Sequence, residues 1–403
     1  MPRPVWLVAL TAFLLMLGLG VLFPVLPYFT RSLGLSDVQA GVLMSAYPGV
    51  GVLVSPLWGR FSEQRGRKLV ILIGLLGFAA SFALFGLGDT FPELVGARVL
   101  GGLFAAAAMP AIFAYMADVT EPENRSRAMG LLGAALALGV SFGPLMGGVL
   151  GSINLRLPYF TSAVVGLLTA VAVLFFLPES LTPDLRVEAA RHRAKLRAQG
   201  LTTRRIAAGL MAFLAYSFLT STGRLGVDTT LGFLVADRLD GTPYDVGVLI
   251  FSMGMIAVLV QGMIISRLAR RYSDYRLLLA GTLLMVVALA GIALTRTWIG
   301  IVASGLLLSV GFSLLAPTFS AQLSRMAEGI QGEAQGLNNS AQSLSRVFGP
   351  ILFVSMYSWL GTWTPYLLAS FLCLLALVIA AARLDPERSL VEAATGDGPV
   401  SRR

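Results

Sequence analysis

Asp228, in "TGRLGVDTTLGFL", is an acidic residue well inside an apolar segment, and Arg224 stands four residues before it. On a helix that spacing puts both side chains on one face. Ionisable groups in hydrocarbon are costly and are functional hypotheses by default. Burial disfavours an ionised carboxyl and a neighbouring guanidinium favours it. A carboxyl held between those two pulls suits reversible proton uptake. The other reading is a static Arg224–Asp228 pair that neutralises itself and supports the helix. Asp37, Glu93, Asp118, Asp237 and Asp245 all fall at segment ends or in loops, so Asp228 is the acid to explain.

Arg98 and Arg346 also lie inside apolar segments, and with Arg224 they outnumber that acid. Facing a common cavity, the three would create a positive field favouring anionic or zwitterionic substrates. Arg98 has an alternative role in satisfying backbone carbonyls at a helix interface. Asn338, Gln342 and Arg346 recur every four residues and share a face, as a polar lining or as interhelical hydrogen bonding; Gln261 reads the same way. Tyr28, Tyr47, Phe104, Met109, Phe113, Phe233 and Met253 would suit the wall of an adaptable pocket, because Met and aromatic side chains accommodate varied shapes.

These side chains must be positioned by a membrane-embedded scaffold. The 403 residues are 56% hydrophobic and 13% charged, with a mean hydropathy of +0.79; soluble domains are about 25% charged. Apolar runs of roughly 20 residues, enough to cross a hydrocarbon core of ~30 Å, recur at 5–30, 38–60, 69–88, 92–116, 127–150, 157–178, 206–235, 244–266, 276–295, 297–320, 335–360 and 363–382. The reading is an all-α integral membrane fold of twelve transmembrane helices, the first retained rather than cleaved. The single cysteine, Cys373, excludes disulfides and cysteine metal sites, no metal site is expected, and the single histidine, His192, lies in a charged loop.

The net charge of +9 is mostly a topology signal. Basic residues crowd the N-terminus, the connections after even-numbered segments and the tail, whereas the opposite side has only Arg31, Arg156, Arg238 and Arg296. Positive-inside bias then places both termini in the cytoplasm of a cell membrane. Anionic lipid headgroups, not nucleic acid, are the expected partner of that charge.

Residues 1–178 and 206–383 form two six-helix bundles, joined by a basic cytoplasmic stretch at 179–205 and followed by a tail at 384–403. The stretch reads as an amphipathic helix on the inner face or as a solvated linker. The bundles look like repeats: "AMGLLGAALALGVSFGP" (128–144) aligns with "AQGLNNSAQSLSRVFGP" (334–350), and "GRFSEQRGRK" falls opposite "SRLARRYSDY" at nearly the same offset. Parallel repeats of this kind occur in transporters whose site lies near the midplane, between the halves.

"GRFSEQRGRK" (59–68) resembles the loop signature of the major facilitator superfamily, with Gly59, Gly66, Arg67 and Lys68 matching and Glu63 at the usual Asp position. "LVGARVLGGLFAAA" resembles its segment 4 signature at Arg98. "LGLGVLFPVLP" resembles the segment 1 signature of the twelve-helix drug:proton antiporters, nearest the quinolone- and tetracycline-efflux type. "GVSFGPLMGG" fits their antiporter signature at Gly139, Gly143, Pro144, Gly147 and Gly148. The resemblance implies two pseudo-symmetric bundles, with segments 1, 4, 7 and 10 lining a cavity. It also implies that segment 5 lies against segment 8 and that Glu63 latches the N-terminal end of segment 11, near 333–336. The sequence departs from the pattern at Leu15 and Ser313, where some exporters carry a second acid.

The expectation is therefore a proton-coupled exporter of small amphipathic compounds, monomeric, working by alternating access. Asp228, Arg224 and Arg98 would be its coupling residues. The alternative is an exporter or facilitator of an anionic metabolite or lipid-like molecule that uses the arginines. A phosphate-binding G-x-x-x-x-G-K-[ST] loop is absent from the sequence, so no cofactor is expected beyond the proton gradient as energy source, and no constellation for enzymatic catalysis stands out.

Overall fold

A computed structural model of the chain describes residues 3–181, 210–326 and 331–384. His192, nearly all of the 179–205 stretch and nearly all of the tail lie outside the described residues. Twelve helical stretches match the twelve apolar segments. Segment 1 is α1 (Arg3–Gly20) plus α2 (Leu22–Ser32), followed by α3 (Asp37–Arg65) and α4 (Arg67–Leu87). Segment 4 is α5 (Phe91–Phe104), a short 3₁₀ turn and α6 (Ala108–Asp118); α7 (Pro122–Ile153) and α8 (Leu157–Phe176) follow. Segment 7 is α9 (Met211–Leu239), and segment 8 is α10 (Pro243–Leu259), a π turn at Val260–Ile264 and α11 (Ile265–Leu268). The rest are α12 (Asp274–Leu294), α13 (Trp298–Met326), α14 (Gln331–Leu360) and α15 (Thr364–Arg383).

Ten of these stretches are long and apolar enough to cross a membrane. The other two, α9 and α14, are 29 and 30 residues long but carry the polar side chains singled out above. Polar groups in a spanning helix need partners inside the protein, and those of α9 and α14 find several in each other.

Proline explains two of the interruptions. Pro24 and Pro110 have no N–H to give to the carbonyls of Gly20 and Ala106. The helix breaks beside the first at Val21, and around the second it tightens into the 3₁₀ turn Ala105–Ala107. Helix starts follow local chemistry: Ser36 and Gln39 form a capping box on α3, Thr90 and Glu93 do so on α5, and Ser273 caps α12.

By packing, the chain divides into two compact units: Met1–Gly200 with Asp228–Met255 and Arg346–Thr362, and Leu201–Val227 with Ile256–Ser345 and Trp363–Arg403. In the first, α4 packs on α8 around Phe78, Phe82, Phe85 and Tyr159, all at most 2% exposed. In the second, the backbones of α12 and α13 meet where a Cβ on Gly281 would lie 2.8 Å from Gly311 O. There α9 is tied to α14 by Ser217 donating to Asn338 Oδ1 at 2.5 Å and by a Thr222–Ser345 hydroxyl pair at 2.8 Å.

Candidate functional site

The glycine-rich stretch of α7 makes two contacts, both within the first unit. A Cβ on Gly139 would lie 2.5 Å from Phe13 O, one on Gly147 would lie 2.6 Å from Val21 O, and one on Gly143 would overlap Leu17 O. Those three glycines therefore pack on segment 1, at and before its break. This corrects the expectation that the stripe faces segment 8: at helical spacing the three share one face, and segment 1, from Phe13 to Val21, fills it. Gly148 alone of the signature glycines points to α10, where a Cβ would lie 2.5 Å from Pro243 O and 3.0 Å from Gly247 Cα. Pro144 sits between the two contacts: its Cδ would be 2.9 Å from a Cβ on Gly20, and its carbonyl 2.6 Å from one on Gly247. Helix α7 is thus a two-sided spacer whose backbone touches both neighbours.

A second cluster ties four segments together at the ends of α2, α3, α9 and α14. Arg31 donates from Nε and Nη2 to Asp37 at 2.9 Å each, and from Nη1 and Nη2 to Asp237 at 2.6 and 3.0 Å. Tyr357 donates to Asp237 Oδ2 at 2.8 Å, and Tyr28 donates to Gly241 O at 2.7 Å. Phe233 lies under the guanidinium, 5.2 Å from it, and 5.8 Å from the Tyr357 ring. One planar cation, bidentate to two carboxylates, fixes the orientation of every helix end it touches. The sequence reading missed this latch, although a signal was available. Of the few arginines on that side, Arg31 pairs with Asp37 and Asp237, Arg156 pairs with Asp89, and Arg238 donates to Thr362 at 2.8 Å.

The loop between α3 and α4 is built on carboxylates the sequence reading also passed over. Gly66 has φ +109°, a conformation that favours glycine, and a Cβ there would overlap the Glu179 carboxylate. Glu179 accepts from the N–H groups of Arg67 (2.8 Å) and Lys68 (3.2 Å), capping α4 with a negative charge. Arg67 donates to Asp118 Oδ2 at 3.2 Å and to Ser62 at 3.2 Å, and Lys68 Nζ donates to Leu174 O at 2.8 Å. Gly59 has open space around it, and Glu63 is half-buried in the last turn of α3. Glu179→Ala is expected to cost about 1 kcal/mol, read as an apparent Tm in detergent lower by about 2 °C.

The expected pocket residues divide by burial. Tyr28, half-buried, and Phe233 belong to the Arg31 latch, and Asn338, 2% exposed, is engaged by Ser217. Tyr47, Met109 and Gln342 are half-buried, while Phe104, Phe113 and Arg346 are accessible. Arg346 forms no ion pair within the described residues.

Arg98 is 2% exposed, with its guanidinium carbon 4.6 Å from the Phe85 ring centre and 5.6 Å from that of Phe82. Cation–π contact supplies part of the attraction a buried charge needs, while Nε and Nη2 have no hydrogen-bond partner. No hydrogen bond from Arg98 to a backbone carbonyl is found among the described residues, and the two rings are the contacts that favour its charge where it is buried. Asp228 and Arg224 are half-buried on α9, and Arg224 lies 5.1 Å from the Phe312 ring of α13. The chain passes from one compact unit to the other between Val227 and Asp228, and between Ser345 and Arg346.

A family model described as Major Facilitator Superfamily matches at residues 8–295 and again at 217–402. The chain belongs to the Major Facilitator Superfamily. It is 30% identical over 369 residues to Multidrug resistance protein 2 of Bacillus subtilis (strain 168), covering 91% of each. It is 26% identical over 360 residues to Quinolone resistance protein NorA of Staphylococcus aureus (strain COL), covering 89% of this chain and 90% of that one. Among solved structures, the human organic anion transporter MFSD10 (TETRAN) superposes with a TM-score of 0.67 at 24% identity, over 94% of this chain and all of that one. At that identity the last likeness bears on fold alone. A chain of this superfamily with this architecture is a multi-pass membrane transporter and not an enzyme.

Proposed function

We propose that this transporter exports small amphipathic compounds from the cell in exchange for protons, by alternating access in the cell membrane, with both termini cytoplasmic. The observation that carries the export reading is its similarity, along nine-tenths of both chains, to a multidrug resistance protein. The proton reading rests on Asp228, a carboxyl well inside the 29-residue helix α9 that takes the seventh segment. A neutral acid can be occluded at lower cost than a carboxylate, so a proton taken up from outside biases the return of the empty carrier. The resident energy source is the gradient itself, and the carrier works as a monomer of two bundles, 1–178 and 206–383.

On this orientation the Arg31 latch lies on the outer side. There α2 and α3 hold the ends of α9 and α14, and Pro243 at the start of α10 meets Gly148, so release of these contacts is the step that discharges substrate. Arg31→Ala leaves Asp37 and Asp237 facing each other without their cation. The side chains are about one-third exposed or less (33%, 16% and 33%), so solvent screening trims the effect to about 1–2 kcal/mol. External thiol labelling of a Thr362→Cys reporter, in a Cys373→Ala background, is expected to rise about tenfold; unchanged labelling would remove the latch from the cycle.

A second reading, export of an anionic metabolite or lipid-like molecule, is favoured by one observation: Arg346 is accessible and forms no ion pair within the described residues. A panel of cationic, zwitterionic and anionic dyes presented to proteoliposomes separates the two. Transport confined to anions, lost in Arg346→Gln, selects the second.

A further inference from the structure

The repeat relation between "GRFSEQRGRK" and "SRLARRYSDY" puts two loops in register along the sequence, and their matched positions differ in ion pairing. In the first loop, Arg67 is paired with Asp118, and Glu179 holds the start of α4. In the second, at an offset of about 207 residues, Asp274 stands where the first has Arg67, and α12 is capped by neutral Ser273. The position of Asp118 falls at Ser324 or Arg325, neither of them acidic. Arg267, Arg270 and Arg271 are then left with no carboxylate within 4 Å among the described residues.

These arginines line a surface recess of about 470 Å³ together with Leu268 and Tyr272. Two of them are anchored by their own helix: Arg267 Nη1 donates to Met263 O at 2.9 Å, and Arg270 Nε donates to Ser266 O at 3.2 Å. Anchoring limits their motion while leaving the other N–H groups of each guanidinium for a ligand. Just before the recess, helix geometry loosens into the π turn Val260–Ile264, and Leu259, Met263 and Ile264 are 46%, 56% and 43% exposed. Tyr272, 48% exposed, stands at the recess itself.

We propose that this recess is a binding site for the phosphate of an anionic phospholipid. Three guanidiniums supply forked donors that match phosphate oxygens. The exposed apolar residues of the same spanning segment offer a path for acyl chains, and a tyrosine stands where aromatic side chains favour the membrane interface. A free phosphate ion would use the arginines but not the apolar flank, so the arrangement favours a lipid. The site would give segment 8, the neighbour of Gly148, a contact with the inner leaflet.

The test uses the full chain in detergent micelles, titrated with phosphatidylglycerol, phosphatidylcholine or inorganic phosphate and read by native mass spectrometry. Phosphatidylglycerol is expected to be retained in preference to phosphatidylcholine. The triple variant Arg267→Gln/Arg270→Gln/Arg271→Gln should lower its apparent affinity at least about fivefold, and the triple lysine variant should restore most of it. Phosphate at millimolar concentration should fail to displace the lipid. Equal retention by wild type and the glutamine variant would overturn the proposal, as would displacement by phosphate alone. So would a gain in lipid retention on truncation after Leu384, which would make the carboxylates of the mixed-charge tail the natural occupant. If the glutamine variant does not fold, Arg270→Glu alone reads the same contrast, and unchanged lipid retention there is equally contrary.

Discussion

In proteoliposomes with an imposed pH gradient, Asp228→Asn is expected to reduce gradient-driven export by about a hundredfold while changing substrate affinity by less than about threefold. Asparagine keeps the size and hydrogen-bonding character of the protonated acid but cannot gain or lose the proton. A ligand shifts a conformational equilibrium only by the difference in its affinity for the two states. With the proton's site fixed in one form, the gradient has nothing to act on at this position. Val227, Thr229 and Thr230 beside it are at most 1% exposed while Asp228 is half-buried, so the substitution falls on the accessible side of an otherwise buried turn. Exchange of substrate at equal pH should persist, because it needs no proton. Loss of exchange and binding together would mean that Asp228 supports the helix through Arg224 rather than coupling transport.

Gly148→Val is expected to abolish transport and lower the apparent melting temperature, while Gly133→Ala on the same helix leaves both unchanged. At Gly148 a Cβ would fall 2.5 Å from Pro243 O and 3.0 Å from Gly247 Cα, so backbone rather than a flexible side chain must yield. Overpacking of this kind typically costs about 1–3 kcal/mol, and the separation of α7 from α10 must change with it. At Gly133 nothing lies within 4 Å, and alanine is the better helix former. A separate variant, Gly143→Ala, probes the α1 contact. If α7 works as a two-sided spacer, both faces are sensitive, and a silent Gly148→Val with a damaging Gly143→Ala would confine the role of the stripe to the contact with segment 1.

The twelve spans were legible because apolar length and the sparing use of charge are properties of sequence, and the described helices follow those segments closely. The partners of polar residues were harder. Asn338, Gln342 and Arg346 share a stripe, yet Asn338 is spent on Ser217 and Arg346 is accessible, a split that depends on which helix sits opposite each turn. Arg98 gave no sign of its aromatic cage, because Phe82 and Phe85 come from another helix. In the Arg31 latch, Asp37 lies only six positions away, but Asp237 lies 206 away, and only the fold shows that the two share one cation. Glu179 looked like the first residue of a linker, whereas its carboxylate closes the turn at Gly66 and caps α4.

The most direct measurement records internal pH in proteoliposomes when an exported compound is added, with the membrane potential clamped. Wild-type protein is predicted to move protons against the substrate flux, and Asp228→Asn to bind the compound without any proton signal. Substrate flux in the wild type with no accompanying proton movement, or an undiminished proton signal in Asp228→Asn, would contradict antiport through this carboxyl.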